Sequence, residues 1–401
     1  MKERLICGLD LGTSKLALTS AKIDRAGRLN IIGIDTLKLG SPDLKPSLDY
    51  IQRILALLKN RIDLGTPEFI INVSGNFIFP RYSRAAIPLS DRGTKLINRR
   101  IVERLNLQAR NLGLGLEERL LHEFPQAYTI DTQTRSNNPV GMYGRRLEVE
   151  IFLISAQLKK MQDIIYSLSQ AGCEVKNFVF SGLASGMSVL DPIDRNKGCV
   201  LIDIGAGLTE IAIFKDGILR QIQVINFGGN DLTESIAKDL KVPFNLAEEI
   251  KLEYAVALSK ERDEDEEIII KKNSGYDSVK RSLVTDAIIP RLNRINKLIK
   301  KTIAESNWRQ DLSAGVIITG GFSLLDGFIE MLELELGMPV KMGLPRQVTS
   351  SQYKSPLFAT SIGLVNYAYE AHLNKVSGLN KAKSWIDQLI SPLKFVYQEY
   401  F

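Results

Sequence analysis

"LICGLDLGTSKLALTS", residues 5–20, is the stretch that decides the fold. An apolar run leads into Asp10, Gly12 follows, and the chain becomes apolar again after three polar residues. This pattern predicts a buried strand, a tight turn and a second strand. A carboxylate at the end of a buried strand costs desolvation free energy unless a cation or hydrogen-bond donors meet it. The stretch therefore predicts a binding site at the turn.

The same unit occurs again at residues 199–229, "CVLIDIGAGLTEIAIFKDGILRQIQVINFGG". Each copy has an apolar strand, an Asp-x-Gly turn, a second strand, a glycine-bearing turn and a third strand. The two turns are Asp10–Gly12 and Asp203–Gly205. One Asp-x-Gly alone is more often an ordinary turn, but two in the same three-strand context indicate a shared task.

That task is phosphate binding. Glycine lets the backbone approach an oxyanion closely, and the hydroxyls of Thr13, Ser14 and Thr209 add donors. Aspartates would repel phosphate unless a cation lay between them. We therefore expect a magnesium nucleotide, with Asp10 and Asp203 reaching Mg²⁺ through its waters.

Two other phosphate motifs are excluded. A GxxxxGK[ST] sequence does not occur. The stretch "GAGLTE", residues 205–210, has Glu210 where a dinucleotide fingerprint needs glycine, and it opens a strand rather than a helix.

A third glycine cluster lies in "GVIITGGFSLLDGF", residues 315–328. The strand 316–318 ends at Thr319, Gly320 and Gly321, and we expect an amphipathic helix from near Leu324. Beside two phosphate loops, this glycine pair is interpreted as the floor under a nucleotide base. A tightly packed strand-to-helix turn is the structural alternative.

Composition sets the outer limits. At 401 residues the chain exceeds the size of one growing core, so two or more domains are expected. The net charge of +6 permits an anionic partner without selecting one.

Three cysteines and two histidines give neither a disulfide framework nor zinc spacing. The first apolar run is cut by Asp10, so we expect no signal peptide, and a chain in the cytosol or on the cytosolic face of a membrane.

The last residues, 381–401, read "KAKSWIDQLISPLKFVYQEYF". Apolar side chains recur at helical spacing and basic ones flank them, which predicts an amphipathic helix on an anionic membrane. The residues are Trp385, Ile386, Leu389, Ile390, Leu393, Val396, Tyr397, Tyr400, Lys381, Lys383 and Lys394. Pro392 should kink this helix, and docking on its own domain is the alternative.

Three longer stretches are similar to one family. Residues 122–156, "HEFPQAYTIDTQTRSNNPVGMYGRRLEVEIFLISA", match the signature H-x-x-P-Q-x-[FY]-x-[IV]-D…NPxGM-x-G-x-R-L-E-V-E, and residues 225–258 and 288–303 match too. The chain thus resembles the FtsA family of bacterial actin homologues, within the actin, Hsp70 and sugar-kinase superfamily. The resemblance implies an α/β, actin-like two-domain fold with duplicated ribonuclease-H-like cores. It further implies an inserted 1C subdomain and a C-terminal amphipathic helix.

The implied divisions follow the family. They are subdomain IA with the first phosphate loop at 1–74, 1C at 75–165, IA again at 166–197, IIA with the second loop at 198–226, IIB at 227–300, IIA with the adenosine loop at 301–355, a closing IA helix at 356–373, a linker at 374–380 and the membrane-targeting helix at 381–401.

The resemblance also implies the nucleotide contacts, with ATP and Mg²⁺ as cofactors. They are Asp10, Gly12, Thr13, Ser14, Lys15, Asp203, Gly205, Gly207, Thr209, Gly228, Gly229, Asn230, Glu248, Lys251, Gly320, Gly321 and Phe322. Glu248 and Lys251 are three residues apart, hence on one helix face, and match a pair laid against ribose and base. Spacing alone would favour a surface ion pair.

Three departures from the family bear on activity. The second loop usually reads DIGGGTTD. Here the methyl group of Ala206 narrows the approach to the backbone, and Leu208 removes one hydroxyl donor. The base loop usually reads GGGA, and here the ring of Phe322 should press near the adenine. The stretch 180–185 lacks the acid of "LEPLAS", which removes a candidate for orienting water. We expect ATP binding with weak or absent hydrolysis, and no catalytic residue is assigned.

Partners follow from the resemblance. IIB would hold the C-terminal peptide of the tubulin homologue FtsZ near Arg281, Arg291 and Arg294, although a solvated helix face is the alternative. Self-association into protofilaments and recruitment of later division proteins through 1C are implied, at the division site on the cytoplasmic side of the membrane. Nucleic acid is not expected, since the basic stretch 83–112, helical after Ser90, lacks interleaved aromatics.

Two further segments have ordinary interpretations, and two other functions stay open. The charge block 260–272 predicts a solvated loop and an edge strand, and His122 is interpreted as structural. A cytoplasmic pilus-platform scaffold of the PilM type is the first alternative function. A small-molecule kinase of the same superfamily is the second.

Overall fold

The computed structural model describes residues 3–39, 48–59, 67–258, 266–272, 275–348 and 350–376. The predicted membrane-targeting helix at 381–401 and most of the predicted linker lie outside these residues. Within the described ranges, no helix is both long and apolar enough to cross a membrane.

The elements of the first part of the chain run from Arg4 to Lys197. In chain order they are β1 (Arg4–Leu11), β2 (Lys15–Ile23), β3 (Leu29–Lys38), α1 (Leu48–Lys59), β4 (Glu68–Val73), β5 (Ile78–Pro88), β6 (Lys95–Leu96), α2 (Arg99–Gly113), β7 (Glu118–Ile130), β8 (Thr134–Ser136), β9 (Tyr143–Gly144), β10 (Arg146–Gln157), α3 (Leu158–Gln170), β11 (Val175–Phe180), α4 (Ser181–Val189) and α5 (Pro192–Lys197).

The remaining elements run from Cys199 to Val376. They are β12 (Cys199–Ile204), β13 (Thr209–Lys215), β14 (Ile218–Ile225), α6 (Gly229–Leu240), α7 (Phe244–Tyr254), β15 (Glu267–Lys272), β16 (Gly275–Lys280), α8 (Arg281–Ala304), β17 (Val316–Thr319), α9 (Phe328–Leu336), β18 (Val340–Met342) and α10 (Ala359–Val376).

Two five-stranded sheets share one plan. The first has the order β11-β4-β1-β2-β3 and the second the order β14-β13-β12-β17-β18. In each sheet three consecutive strands pair antiparallel, and two later strands lie parallel to the first of them on its other side. The predicted three-strand repeat is therefore confirmed, and each aspartate of the repeat lies at the end of a buried strand.

An insert, residues 75–157, separates β4 from α3 and the rest of the first sheet. Its sheet has the order β5-β10-β7-β8, while β6 and β9 form a small pair of their own. Helix α2 packs on one face of the sheet and closes a separate hydrophobic core. Asn98 caps this helix by accepting a hydrogen bond from the Ile101 amide at 3.0 Å. The helix predicted from Ser90 thus begins at Arg99, because the cap fixes its start.

Two other predicted boundaries need correction. Residues Gly321–Leu324 form a 3₁₀ turn, and α9 begins at Phe328 rather than near Leu324. Gly327 precedes α9 with φ of 74°, a left-handed turn that resets the chain direction. Helix α10 continues to Val376, into the predicted linker, because residues 371–376 contain neither glycine nor proline.

Helices α4 and α10 cross between the two sheets. Both belong to one continuous core that also includes side chains of β1 and of β12. At the crossing, a Cβ added to Gly363 would lie 1.7 Å from the Ala184 carbonyl oxygen. We call the two parts of the molecule that are built around the two five-stranded sheets its halves. The halves are therefore joined by a contact that only a glycine permits.

Gly363→Ala is expected to lower the free energy of unfolding by about 3 kcal/mol or more, because two helix backbones must move apart. Urea unfolding of the purified chain measures the loss. Gly275→Ala is the matched control, since a Cβ there meets no atom within 4 Å, and it should change stability by less than about 1 kcal/mol. Equal stability of Gly363→Ala and wild type would contradict the close crossing.

Candidate functional site

The two Asp-x-Gly turns meet in the cleft between the halves. A Cβ added to Gly207 would lie 2.9 Å from the Thr13 hydroxyl oxygen, so the first loop touches the second. A Cβ added to Gly320 would lie 2.5 Å from Asp203 Oδ1. The structure thus brings three of the predicted glycine clusters to one place.

The start of α6 completes the loop system. The Gly229 amide donates to the Gly205 carbonyl at 3.0 Å, and the Asn230 amide donates to the Ala206 carbonyl at 2.7 Å. The residues predicted from the second phosphate loop and from Gly228–Asn230 are therefore one continuous surface. Both amides are thereby occupied, so the start of α6 shapes the loop surface and does not offer these two donors to an anion.

Asp10 is met by an amide and a cation. The side-chain amide of Asn72 donates to Asp10 Oδ1 at 2.7 Å, and its own oxygen accepts from the Leu11 amide at 2.6 Å. Burial raises the pKa of Asp10 to about 7, while the Lys15 charge and the Asn72 hydrogen bond act against that rise and Asp203 adds to it. The Asp203 charge acts on the Asp10 carboxyl, so the two carboxyls face the same cleft.

Asp203 is held by hydroxyls. Thr360 donates to Asp203 Oδ2 at 3.3 Å, and the hydroxyl of Ser185 also donates to it. Burial raises the pKa of Asp203, and these two hydroxyls and Lys15 oppose the rise. Ser185 belongs to α4 and Thr360 to α10, so the two crossing helices also orient this carboxyl.

Glu210 is a third buried carboxyl that the sequence interpretation missed. It lies opposite Asp203 in the β12–β13 register and is 6% exposed. Burial, and then the Asp203 charge, raise its pKa well above the ordinary value, and the nearby hydroxyls of Ser74 and Ser181 oppose that rise. The sequence did contain a signal for this residue. Glu210 lies seven residues after Asp203, in a largely apolar strand, and its side chain is on the cleft side. A carboxyl here can hold a proton or orient a water next to a bound phosphate.

Lys15 lies between the halves. Its Nζ donates to the Leu357 carbonyl at 2.7 Å and lies 5.1 Å from the centre of the Phe358 ring. Burial lowers its pKa, and the charges of Asp10 and Asp203 oppose that change. One ammonium thus interacts with both predicted magnesium-facing aspartates.

Thr209 does not supply the predicted phosphate donor. Its hydroxyl is fully buried and donates to the Phe227 carbonyl at 2.9 Å. Thr209 is the first residue of β13, and this hydrogen bond links it to the chain just after the end of β14. Ser14 is exposed, and Thr13 faces Gly207, so those two hydroxyls keep access to the cleft.

Glu248 and Lys251 form more than a surface ion pair. Lys251 Nζ donates to Glu248 Oε2 at 2.6 Å, to the Thr233 hydroxyl at 2.8 Å and to the Gly229 carbonyl at 3.1 Å. The Lys251 side chain is 11% exposed, and burial lowers its pKa. The predicted pair therefore lies next to the loop surface, and Thr233 is a partner that the sequence interpretation missed.

Phe322 contributes to the core instead of to an open wall. Its ring is 7% exposed and packs edge-on at 4.8 Å from Phe328, with Phe227 at 6.4 Å. The prediction that this ring presses on an adenine is corrected, because the 3₁₀ turn directs it inward. Gly321 is exposed and borders Leu357.

The magnesium prediction fits a water-mediated site. In the part of the chain that the structure describes, no three acidic, histidine or cysteine side chains are placed to hold a metal directly. Asp10 and Asp203 nevertheless lie together beside one lysine, and two carboxylates facing one cleft favour a divalent cation with its own waters.

The residues predicted for an acidic peptide lie in different settings along α8. Arg281 is paired with Glu266 and donates to the Tyr254 carbonyl at 3.1 Å, and Arg291 donates to the Ser235 hydroxyl at 3.0 Å. Arg294 lines a cavity of about 370 Å³ together with Pro290, Asn293, Lys297, Leu298 and Lys301. Of the three arginines, Arg294 is the one that borders this basic cavity.

Comparison with protein families gives two matches. The model "Cell division protein FtsA" matches residues 200–363, and the model "SHS2 domain inserted in FTSA" matches residues 75–155. The cell division protein FtsA of Pseudomonas aeruginosa is 30% identical over 384 residues, which cover 93% of this chain and 91% of that protein. That of Escherichia coli K12 is 29% identical over 414 residues and covers 98% of both chains.

Solved structures show the same architecture at low identity. A chain of the PilM–PilN type IV pilus biogenesis complex has a TM-score of 0.61 at 17% identity, covering 90% of this chain and 97% of its own. MreB5 of Spiroplasma citri bound to ADP has a TM-score of 0.56 at 12% identity, covering 94% and 99%. The MamK double helical filament has a TM-score of 0.52 at 13% identity, covering 90% and 98%. The predicted actin-like α/β fold with an inserted domain is confirmed.

Asp10→Asn should become more stable relative to wild type as the pH rises, in protein free of nucleotide and added metal. The folded-state pKa of Asp10, about 7, lies above the ordinary value of 3.8. Its favourable contribution is therefore present at acidic pH and is lost as the pH rises through 7. The difference in free energy of unfolding should grow by about 1–2 kcal/mol between pH 5 and pH 8, measured by urea unfolding. Asp163→Asn, at an exposed position, is the control, and a pH-independent difference for Asp10→Asn would contradict the burial of its charge.

Proposed function

The chain belongs to the FtsA family of cell-division proteins, and on that basis we propose that it is an ATP-binding, actin-like protein. It polymerises on the cytoplasmic membrane, tethers the FtsZ ring to that membrane and recruits later division proteins. The observation that carries the proposal is the meeting of Asp10 and Asp203, one from each half, beside Lys15 and the glycine loops.

Nucleotide binding follows from the chemistry of the cleft. Backbone amides and glycines of both loops suit a triphosphate, and Glu248, Lys251 and Thr233 offer polar groups for a ribose. The MreB5 structure, a neighbour in fold, holds ADP. We assign the triphosphate to the loops and the base to the side of Gly320 and Gly321.

Mg²⁺ would be held through its waters by Asp10 and Asp203. When bound, the ion neutralises phosphate charge that these carboxyls alone would repel. Asn72 and Thr360 keep the two carboxyls oriented, and Lys15 offers a further positive charge. We propose slow or absent hydrolysis, since the helix start at 181–185 offers hydroxyls and no carboxylate of its own, and burial favours the protonated form of the nearby Glu210, which is a poor base for a water.

Gly205→Ala should weaken ATP binding without unfolding the chain. A Cβ at Gly205 would meet its nearest atom, the Leu208 carbonyl oxygen, at 3.5 Å, which is ordinary contact. The methyl group would nevertheless occupy the surface that a phosphate must approach, and we expect at least about tenfold weaker binding, or 1.4 kcal/mol. Titration with a fluorescent ATP analogue and Mg²⁺ measures this, with Gly275→Ala as the control. Unchanged affinity in Gly205→Ala would remove the second loop from the site.

Membrane attachment is assigned to residues 381–401. Interfacial burial of Trp385 and the neighbouring aliphatic side chains should contribute several kcal/mol, and each lysine should add about 1 kcal/mol on anionic lipid. The FtsZ C-terminal peptide is assigned to the basic cavity at Arg294, with Lys297 and Lys301 as further cations. Self-association would then multiply weak single contacts through effective concentration. The MamK filament shows that a neighbour in fold forms one.

The two other candidate functions are separated by observation. The PilM likeness, at 17% identity, concerns the fold alone, whereas relatives near 30% identity over the whole chain are cell-division proteins. A small-molecule kinase would need a base for a substrate hydroxyl, and robust phosphotransfer to a sugar would favour it. Membrane binding through the last residues separates our proposal from a PilM-type scaffold.

A chain ending at Val376 should no longer sediment with anionic vesicles, whereas the full chain should. The truncated chain retains the whole described fold, so a loss reports on the tail.

Labelled FtsZ C-terminal peptide should co-sediment with the full chain, and Arg294→Glu should reduce that fraction several-fold, with Arg309→Glu as the control. Sedimentation of the truncated chain at the wild-type level would refute the tail assignment, and unchanged peptide binding in Arg294→Glu would refute the peptide site.

A further inference from the structure

Strand β7 of the insert is bonded to both halves of the molecule within five residues. The His122 Nε2 accepts a hydrogen bond from the Phe180 amide at 3.0 Å, and Phe180 immediately precedes α4 in the first half. Four residues later, the Gln126 side chain donates to the Leu219 carbonyl at 3.2 Å, in β14 of the second half. The stretch "HEFPQ" therefore spans the boundary between the halves.

A β-bulge explains how Gln126 reaches the second half. In the pairing of β10 with β7, Ile151 lies opposite Pro125 and Glu150 lies opposite Ala127, so Gln126 has no partner of its own. An extra residue in one strand re-aims its side chain out of the normal alternation. The Gln126 side chain is thereby placed, 2% exposed, against β14.

Arg220 is the centre of this contact. Its guanidinium is 3% exposed and donates to Gln126 at the backbone oxygen, 3.2 Å, and at Oε1, 3.0 Å. It also donates to Asp216 Oδ2 at 2.9 Å and lies 4.6 Å from the centre of the Trp308 ring. The Tyr82 hydroxyl donates to the Arg220 carbonyl and accepts from the Trp308 indole. We call Tyr82, Gln126, Arg220 and Trp308 the Arg220 junction.

The junction lies between the nucleotide cleft and a groove on the insert. Arg220 lies in β14 (Ile218–Ile225), and the chain after this strand leads directly into Gly228 and Gly229 of the cleft. On its other side, a cavity of about 470 Å³ lies on the open face of the insert sheet. Two of its lining residues, Arg135 and Glu150, are close enough to Arg220 and Tyr82 for their charges to interact.

We infer that the Arg220 junction couples the nucleotide state of the cleft to the conformation of the insert groove. A rotation between the halves has to be absorbed in β7 between His122 and Gln126, because each is bonded to a different half. Insert and cleft then share one conformational equilibrium, so a ligand of either site biases the other. This inference rests on the proposed nucleotide binding and adds to it a control over what the insert presents to a partner.

Hydrogen–deuterium exchange of the full-length chain, with and without saturating Mg·ATP, tests the coupling. In wild type, ATP should slow amide exchange at residues 127–136 and 145–150 by about threefold or more, although these residues do not line the cleft. The Gln126→Leu variant should still bind ATP, but ATP should no longer slow amide exchange in the insert. Tyr82→Phe, which removes one hydroxyl from a half-exposed side chain, should reduce the response to ATP, and it carries the test if Gln126→Leu does not fold. Tyr143→Phe, on an exposed part of the same insert, is the matched control and should respond as wild type does.

Titration with a fluorescent ATP analogue in the same samples separates the possible failures. Bound ATP with unchanged exchange in the wild-type insert overturns the coupling alone. A wild-type response in both Gln126→Leu and Tyr82→Phe also overturns it. A wild-type chain that binds no ATP overturns the proposed function and the coupling with it.

Discussion

Three carboxyls in one cleft, two of them buried and one half-buried, impose the main constraint on this molecule. The Asp203 charge raises the pKa of Asp10, the charges of Asp203 and Asp10 raise the pKa of Glu210, and Lys15 is the cation that the two aspartates share. Burying such a cluster is unfavourable unless donors or a cation satisfy it. The surrounding polar groups, above all Asn72, meet that need in part. The remaining unfavourable free energy is what a hydrated magnesium nucleotide would relieve.

The same constraint accounts for the joining of the halves. Asp10 comes from the first sheet and Asp203 from the second, while α4 and α10 supply hydroxyls to the same cleft. The crossing at Gly363 is close enough that these helices cannot slide apart without losing contact. A motion of the halves that keeps this crossing would be a rotation, and β7, which is hydrogen-bonded to both halves, would take part in it.

The sequence was sufficient for the repeat because strand periodicity and an Asp-x-Gly turn are local signals. It was also sufficient to predict that the glycine clusters lie in one place. It was not sufficient for Asn72 and Glu210, whose roles depend on which strands become neighbours. Thr209 and Phe322 were misplaced for a related reason: a hydroxyl or a ring next to a loop can turn inward, and only packing decides. The insert and the predicted peptide site came from family resemblance, since no periodicity or composition marks them.

The repeated sheet has a further consequence for how the protein is elaborated. In each half, the third and fourth strands of the plan, and the fourth and fifth, are joined by crossover connections. The first half carries its large addition after the fourth strand, between β4 and β11, and the second half carries α6 to α8 after the third strand, between β14 and β17. Closing a longer loop costs little extra entropy, so a crossover accepts a whole subdomain without disturbing the strand order. One strand plan thus yields two unlike halves, whose additions lie at different crossovers.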